Sequence, residues 1–511
     1  MSSSPARPRF RHEDGTDERD LPDYRRGVLA RAVTFALVGL EPRQVEVEAH
    51  LQGGLPALTI VGLADRACQE AKQRVRSGIL SAELCWPDGR ITVNLAPAEL
   101  KKEGSGFDLP IALALLAASR QIPPARLEEH ASCGELALDG RMRRVGGVLA
   151  VAEGARRAGL DRLICPYEAC TEAALAGVEP VGIRHLADAA KYLRGELEPP
   201  EFVLGNGRPR RAPLDLADVR GQERARRALE IAAAGRHNLL LGGPPGTGKT
   251  MLARRLAGIL PPLEEEDALE VTRIHSVAGL VDPEHPLIGH PPFRAPHHSA
   301  STAAIVGGGS RLRPGEASLA HRGVLLLDEL AEFQRPALEA LRQPLEDGEI
   351  SVARAAGTVW FPARFLLVGT MNLCPCGARG DPGAQCTCSA QRLARYRDKL
   401  SRALLDRFDL VVTVPRPRAT ELQAPPGEPS VDVRRRVCAA GLRLASASPA
   451  RTQAADELLT RAVDRLPLSG RGRAKVAGVA RTIAALADAE AVLPEHVAEA
   501  LAYRAPSALS A

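Results

Sequence analysis

The hydrophobic positions change period along the chain, and each change predicts an element. Val45 to Leu51 alternates apolar and polar residues, as a strand with one buried face does, and Ala57 to Gly62 and Arg90 to Leu95 repeat the pattern. Between them, Asp65 to Leu84 places Ala67, Ala71, Val75 and Ile79 on one helical face, whereas Leu109 to Ala118 is apolar all round and predicts a buried helix. Cys133 to Gly140 reads as a strand entering a turn, and Val148 to Ala158 as a helix. Further on, His237 to Leu241 is a short strand-like apolar run, and Met251 to Ala257 has helical spacing. Val324 to Leu327 is a four-residue apolar run of the kind buried in parallel sheets. Leu338 to Leu345 predicts a helix. Glu349 to Arg354 and Gly357 to Phe361 predict a hairpin around Ala355 and Ala356. Arg364 to Val368 predicts another buried strand, and from Val433 onward the pattern is helical. Strands alternating with helices predict an α/β fold with a parallel sheet.

Composition narrows the class. A chain of 511 residues has room for two to four domains. With 45% apolar and 25% charged residues, most of it should fold as globular structure. Aromatic residues are only 3%, which argues against base-stacking platforms, and a net charge of +5 does not by itself specify a nucleic-acid partner. No apolar run approaches a membrane span and no signal peptide precedes the core, so the expected compartment is the cytoplasm, with the ten cysteines reduced. Residues 1–27 are polar and charged and read as a disordered tail. Residues 195–213 and 416–432, rich in proline and charge, read as linkers, with Arg208, Arg210 and Arg211 as a solvated run in the first. The resulting division is 28–194, 214–415 and 433–511.

Two motifs carry the chemistry. Gly243-Pro244-Pro245-Gly246-Thr247-Gly248-Lys249-Thr250 matches the phosphate-binding loop, and it lies between a predicted strand and a predicted helix, as that loop must. The glycines let the backbone approach phosphate oxygens, and the helix start supplies N–H donors and a favourable dipole. Lys249 is placed for the β- and γ-phosphates of ATP and Thr250 for Mg²⁺. The second motif is the apolar strand ending in Asp328-Glu329, where open α/β sheets bind ligands. Asp328 is assigned to Mg²⁺ and Glu329 to polarising the attacking water. Asn372, at the end of the strand beginning near Arg364, is placed to orient that water.

Cys374, Cys376, Cys386 and Cys388 form two C-x-C pairs in a glycine- and proline-rich loop, a ligand set for tetrahedral Zn²⁺. With no open coordination position the zinc is structural. Free thiols and a redox pair are the alternatives. His297 and His298 are adjacent and suit structural or pore-lining roles better than a shared metal.

Several stretches resemble the YifB/ComM family of magnesium-chelatase-like AAA+ ATPases. GGLPALTIVGLADRACQEAKQRVRSGI, ITVNLAPAELKKEGSGFDLPIALALLAAS and CGELALDGRMRRVGGVLAVAEGARRAG resemble its N-terminal domain, and FRAPHHSAST and GGGSRLRPGEASLAH resemble its core. The resemblance implies an N-terminal Lon-protease-like α/β domain, an AAA+ core with an insertion projecting into a central pore, and a C-terminal helical lid. It implies no protease: Gly106 stands at the nucleophile position, with Ser105 one residue off, and Leu149 stands at the lysine position. Leu404 to Asp409 resembles the arginine-finger motif, which makes Arg407 act on a neighbouring subunit's ATP, although Ser401-Arg402-Ala403 replaces the family's Ser-Gly-Pro before it. Leu468-Ser469-Gly470-Arg471 resembles the start of the lid helix and makes Arg471 a γ-phosphate sensor. Arg354, near the hairpin tip, becomes a candidate DNA contact. The implied activity is that of a homohexameric ATPase that moves on DNA without sequence preference and promotes branch migration in natural transformation. The competing readings are a magnesium-chelatase ATPase subunit and an ATP-dependent protease or remodelling factor.

Overall fold

The structure is a computed structural model that describes residues 28–202, 214–309, 312–354, 357–446, 448–466 and 468–504. The expected tail, most of the first linker with its three arginines, the Ala355-Ala356 tip and the Arg354 side chain lie outside the described residues. The chain divides into two compact units, one drawn from residues before 203 and the other holding the rest of the chain together with short segments at 37–41 and 146–150.

The first unit is built on a seven-stranded sheet. Its spatial order is Ala57–Val61, Arg90–Ala96, Glu41–Gln52, Val28–Val38, His130–Ser132, Arg162–Pro166 and Glu179–Ile183. The alternation seen in sequence is the alternation in space: Val45, Val47, Ala49 and Leu51 are buried. The helix Arg66–Ser81 starts where Asp65 accepts a hydrogen bond from the Cys68 N–H at 2.8 Å, which satisfies one of the free donors of the first turn. It lays Ala71, Val75 and Ile79 on the core, beside the fully buried helix Asp108–Ala118. Cys133 to Gly140, expected as a strand entering a turn, holds the two-residue strand Glu135–Leu136 followed by the turn. The Ser105 hydroxyl donates to the Glu135 carboxylate, the Lys102 ammonium donates to the Pro97 carbonyl, and Leu149 is buried.

The second unit holds a five-stranded, all-parallel sheet in the order Phe293–Arg294, Val324–Leu327, Leu366–Met371, Leu239–Gly242 and Leu410–Thr413. The three central strands are buried along their whole length, as a parallel sheet covered on both faces requires. The expected helix Leu338–Leu345 is two short ones, Arg335–Ala340 and Arg342–Asp347. Pro344 has no N–H to give the Ala340 carbonyl, so the first helix ends there and proline is accepted in the first turn of the second. The hairpin Glu349–Arg354 with Gly357–Pro362 is present, in register Ser351 to Trp360. The C-terminal residues form the helices Ser430–Ser446, Gln453–Arg465, Gly470–Leu486 and Pro494–Ala502. Their inward residues, among them Val437, Leu459, Val476, Ile483 and Val497, join one core with Leu239, Leu241, Leu252 and Leu256. Among the described residues no helix is long and apolar enough to cross a membrane.

Candidate nucleotide site

The carboxyl ends of the central strands bring the first group of predicted residues together. The strand Leu239–Gly242 delivers the loop Gly243 to Gly248, and the helix Lys249–Ile259 follows. Gly248 has φ +87°, a conformation that costs a side-chain-bearing residue energy but not glycine. Thr247 is buried and its hydroxyl donates to the Pro244 carbonyl at 3.0 Å, bracing the loop from inside. Lys249, also buried, donates from Nζ to the Gly243 and Pro244 carbonyls at 2.9 and 2.7 Å and to Asn372 Oδ1 at 3.3 Å. Burial pushes its pKa below the usual lysine value, while Asp328 and Glu329 oppose that shift. The ammonium thus rests on loop carbonyls in a place where phosphate oxygens would be stronger partners.

Thr250 donates its hydroxyl to Asp328, with Oγ1 2.8 and 3.1 Å from the two carboxylate oxygens. A hydroxyl and a carboxylate in contact at a phosphate loop are oxygen donors of the kind Mg²⁺ takes. The sequence reading missed Thr370. Its hydroxyl donates to Asp328 Oδ1 at 2.6 Å and accepts from the Glu329 N–H at 3.0 Å, so one side chain fixes both acids. A hydroxyl in the otherwise apolar strand Leu366–Met371, two residues before Asn372, was the available signal. Glu329 has φ +56°, a sparsely populated conformation for a glutamate, of the sort that concentrates at functional sites. Its carboxylate is exposed, and Oε2 lies 4.0 Å from His298 Nδ1. His298 belongs to the FRAPHHSAST stretch, which in sequence gave no sign of approaching Glu329. Asn372 is held from behind by Tyr396, whose hydroxyl donates to the Asn372 carbonyl at 3.1 Å.

The cysteine loop begins two residues past Asn372. The four sulfurs lie within 4.8 Å of one another, with Cys374–Cys376, Cys376–Cys386 and Cys386–Cys374 separations of 3.3, 3.6 and 3.7 Å. A tetrahedron with Zn–S near 2.3 Å has edges of about 3.8 Å, so the donor set fits the ion. The same loop leans on the phosphate loop: a Cβ on Gly377 would come within 3.0 Å of Pro245 Cδ.

Arg407 and Arg471 are not in this cluster. Arg407 sits before the strand Leu410–Thr413, and its carbonyl accepts from Asn238 Nδ2 at 3.0 Å, at the amino end of the strand Leu239–Gly242. The phosphate loop leaves the other end of that strand, several steps of roughly 3.3 Å away. Arg471 opens the helix Gly470–Leu486, which keeps to the same amino-end side through Lys475 to Asp409 at 2.9 Å and Thr482 to His237 at 2.8 Å. Both guanidiniums meet Glu346: Arg407 by an ion pair and Arg471 at 3.0 Å. Arg471, the expected γ-phosphate sensor, is thus grouped with Arg407 at Glu346.

Comparison with known proteins agrees with this arrangement along the chain. The family described as "Magnesium chelatase, subunit ChlI" matches residues 215–422 and its C-terminal counterpart 427–504, while "Subunit ChlI of Mg-chelatase" matches 47–169. The chain is 43% identical to the uncharacterized protein YifB of Salmonella typhimurium over 495 residues, covering 93% of this chain and 97% of that one. It is 42% identical to the competence protein ComM of Haemophilus influenzae over 503 residues, again covering 93% and 97%. The 38 kDa magnesium-chelatase subunit of Cereibacter sphaeroides is 27% identical over 226 residues, 41% of this chain and 61% of that protein. The full-length matches, together with the phosphate loop and acidic strand end set at the carboxyl ends of central parallel strands, place the chain in the YifB/ComM family of magnesium-chelatase-like AAA+ proteins.

Proposed function

We propose that the chain is an ATP-hydrolysing motor of the cytoplasm that works as a homohexameric ring on DNA and drives branch migration when incoming DNA recombines. The observation that carries this reading is the division of the nucleotide machinery between opposite ends of one sheet. Lys249, Thr250, Asp328, Glu329 and Asn372 gather at the carboxyl ends, and Arg407 and Arg471 at the amino ends. A site whose arginines lie on the far side of its own sheet calls for a second copy to complete it, and repeating that head-to-tail contact gives a ring when its rotation closes.

Within the site, Lys249 and the loop N–H groups bind the phosphates, and Asn372 and Glu329 orient and polarise the attacking water. Thr250 and Asp328 would hold Mg²⁺, which neutralises charge building on the phosphate oxygens. Arg407 of the adjacent subunit stabilises the transferring phosphoryl group. DNA as the track is supported by the near full-length likeness to a protein named for competence. The Lon-protease-like reading of the first unit carries no proteolysis, because Gly106 and Leu149 stand where a nucleophile and a lysine would be needed. A chelatase role is favoured by the family's printed name, but the 38 kDa chelatase subunit aligns with only 41% of this chain, whereas the YifB and ComM relatives align with 93%.

The deciding experiment is ATP-dependent strand displacement from a labelled synthetic four-way junction. Wild-type protein should resolve the junction, more weakly as salt rises, since contacts to phosphates release counterions. ATP hydrolysis with no effect on any junction, and no stimulation by DNA, would overturn the DNA reading in favour of another remodelling role.

The four cysteines are proposed to hold structural Zn²⁺. Purified protein should contain about one zinc per chain, and Cys386→Ser should lose it. Because the loop leans on Pro245, the metal-free variant should also show faster amide exchange in the phosphate loop. Zinc-free wild-type protein with an unchanged exchange pattern sinks the assignment.

A further inference from the structure

Glu346 lies in the last turn of the helix Arg342–Asp347 of the sheet-bearing core, and nothing in the sequence marks it out. Two cations from distant segments share its Oε1: Arg407, from the loop before the last sheet strand, and Arg471, from the first turn of a C-terminal helix. Arg407 is poorly served there. Its side chain is nearly buried, Nη1 donates to the Ala403 carbonyl at 3.1 Å, Nη2 meets Glu346, and buried Nε has no partner. A guanidinium has five donors, and one left buried and unsatisfied is costly. Two guanidiniums on one carboxylate also leave a net positive charge. What would satisfy both is an anion with several acceptor oxygens, and a terminal phosphate is such an anion. The Arg471–Glu346 contact is half-exposed, a class of ion pair that contributes little and exchanges readily.

We propose that Glu346 is a positioning latch: it stows Arg407 and Arg471 in a subunit whose neighbour holds no ATP, and releases both to the γ-phosphate of the neighbour's ATP. The inference rests on the ring ATPase reading. The latch ties the first turn of the helix bearing Arg471 to the core, so its release loosens that turn when the neighbouring site is filled, while Val476 and Ile483 keep the rest of the helix packed. ATP binding in one subunit is thereby felt at the start of that helix in the next.

The test compares full-length wild type, Glu346→Gln and Glu346→Asp by amide exchange and steady-state ATP turnover. In wild type without nucleotide, residues 402–407 and 470–475 should be protected, and a non-hydrolysable ATP analogue should raise their exchange. Glu346→Gln, which keeps the shape and removes the charge, should exchange rapidly in both segments without nucleotide. Its kcat should rise several-fold with little change in KM, while Glu346→Asp stays close to wild type. Equal exchange in wild type and Glu346→Gln overturns the latch, as does a kcat that falls or stays put. If wild-type protein hydrolyses no ATP, the ATPase reading fails by itself, and the nucleotide-free exchange comparison still decides whether Glu346 holds the two segments.

Discussion

Arg407→Ala should leave ATP binding nearly intact and reduce turnover by about 10³–10⁵-fold, the effect of removing an arginine supplied in trans to a transferring phosphoryl group. The selectivity follows from position. Arg407 is anchored to Asn238 at the amino end of the strand whose other end carries Gly243 to Thr250, so its loss removes nothing from its own chain's phosphate loop. Fluorescent-nucleotide titration should give a dissociation constant within a few-fold of wild type. The decisive measurement mixes Arg407→Ala subunits with Glu329→Gln subunits. Each variant alone is inactive. In mixed rings, an intact Glu329 in one subunit can face an intact Arg407 from its neighbour, and activity should return. If mixing restores nothing while the subunits co-assemble, Arg407 does not act across an interface. Arg407→Lys should recover little, because an ammonium cannot reproduce the forked contact of a guanidinium with phosphate oxygens.

Much of this was legible in the chain because its signals are local. The phosphate loop fixes its own geometry through glycines and the helix that follows, and the acids at Asp328 and Glu329 lie at the end of a strand whose four apolar residues declare it buried. Asp65 marks a helix start by its own side chain. The failures are of another kind. Val28–Val38 pairs in the middle of its sheet, yet nothing in its mixed pattern announced a strand. Leu338 to Leu345 has helical spacing throughout, and only the missing N–H of Pro344 divides it. Glu346 meets Arg407 and Arg471 across 61 and 125 positions, and His298 approaches Glu329 from the separate stretch Phe293 to Thr302. Contacts made by tertiary packing leave no periodicity behind, so motifs located the site while packing alone assigned its neighbours.

Glu329→Gln should trap ATP. The amide keeps the size of the carboxylate but cannot take a proton from water, and loss of such a group costs about 10²–10⁴-fold in rate. The binding residues are untouched: Lys249 keeps its loop carbonyls and Asn372, and Thr250 keeps Asp328. Thr370 grips the Glu329 backbone N–H, not its side chain, so the unusual φ of this residue survives the substitution. The exposed carboxylate lies 4.0 Å from His298 Nδ1, too far for a hydrogen bond, so little packing is lost and thermal stability should be unchanged. The expected product is a ring with ATP bound in its sites, stable on gel filtration and inactive on a four-way junction. By contrast, Lys249→Ala should fail at binding, because it removes the cation that meets the phosphates. The pair separates two failures that activity alone confuses: one variant holds nucleotide and does not turn it over, and the other never holds it. A Glu329→Gln protein that hydrolyses ATP at the wild-type rate would take the catalytic role away from this strand end and leave Asp328 there as a metal ligand alone.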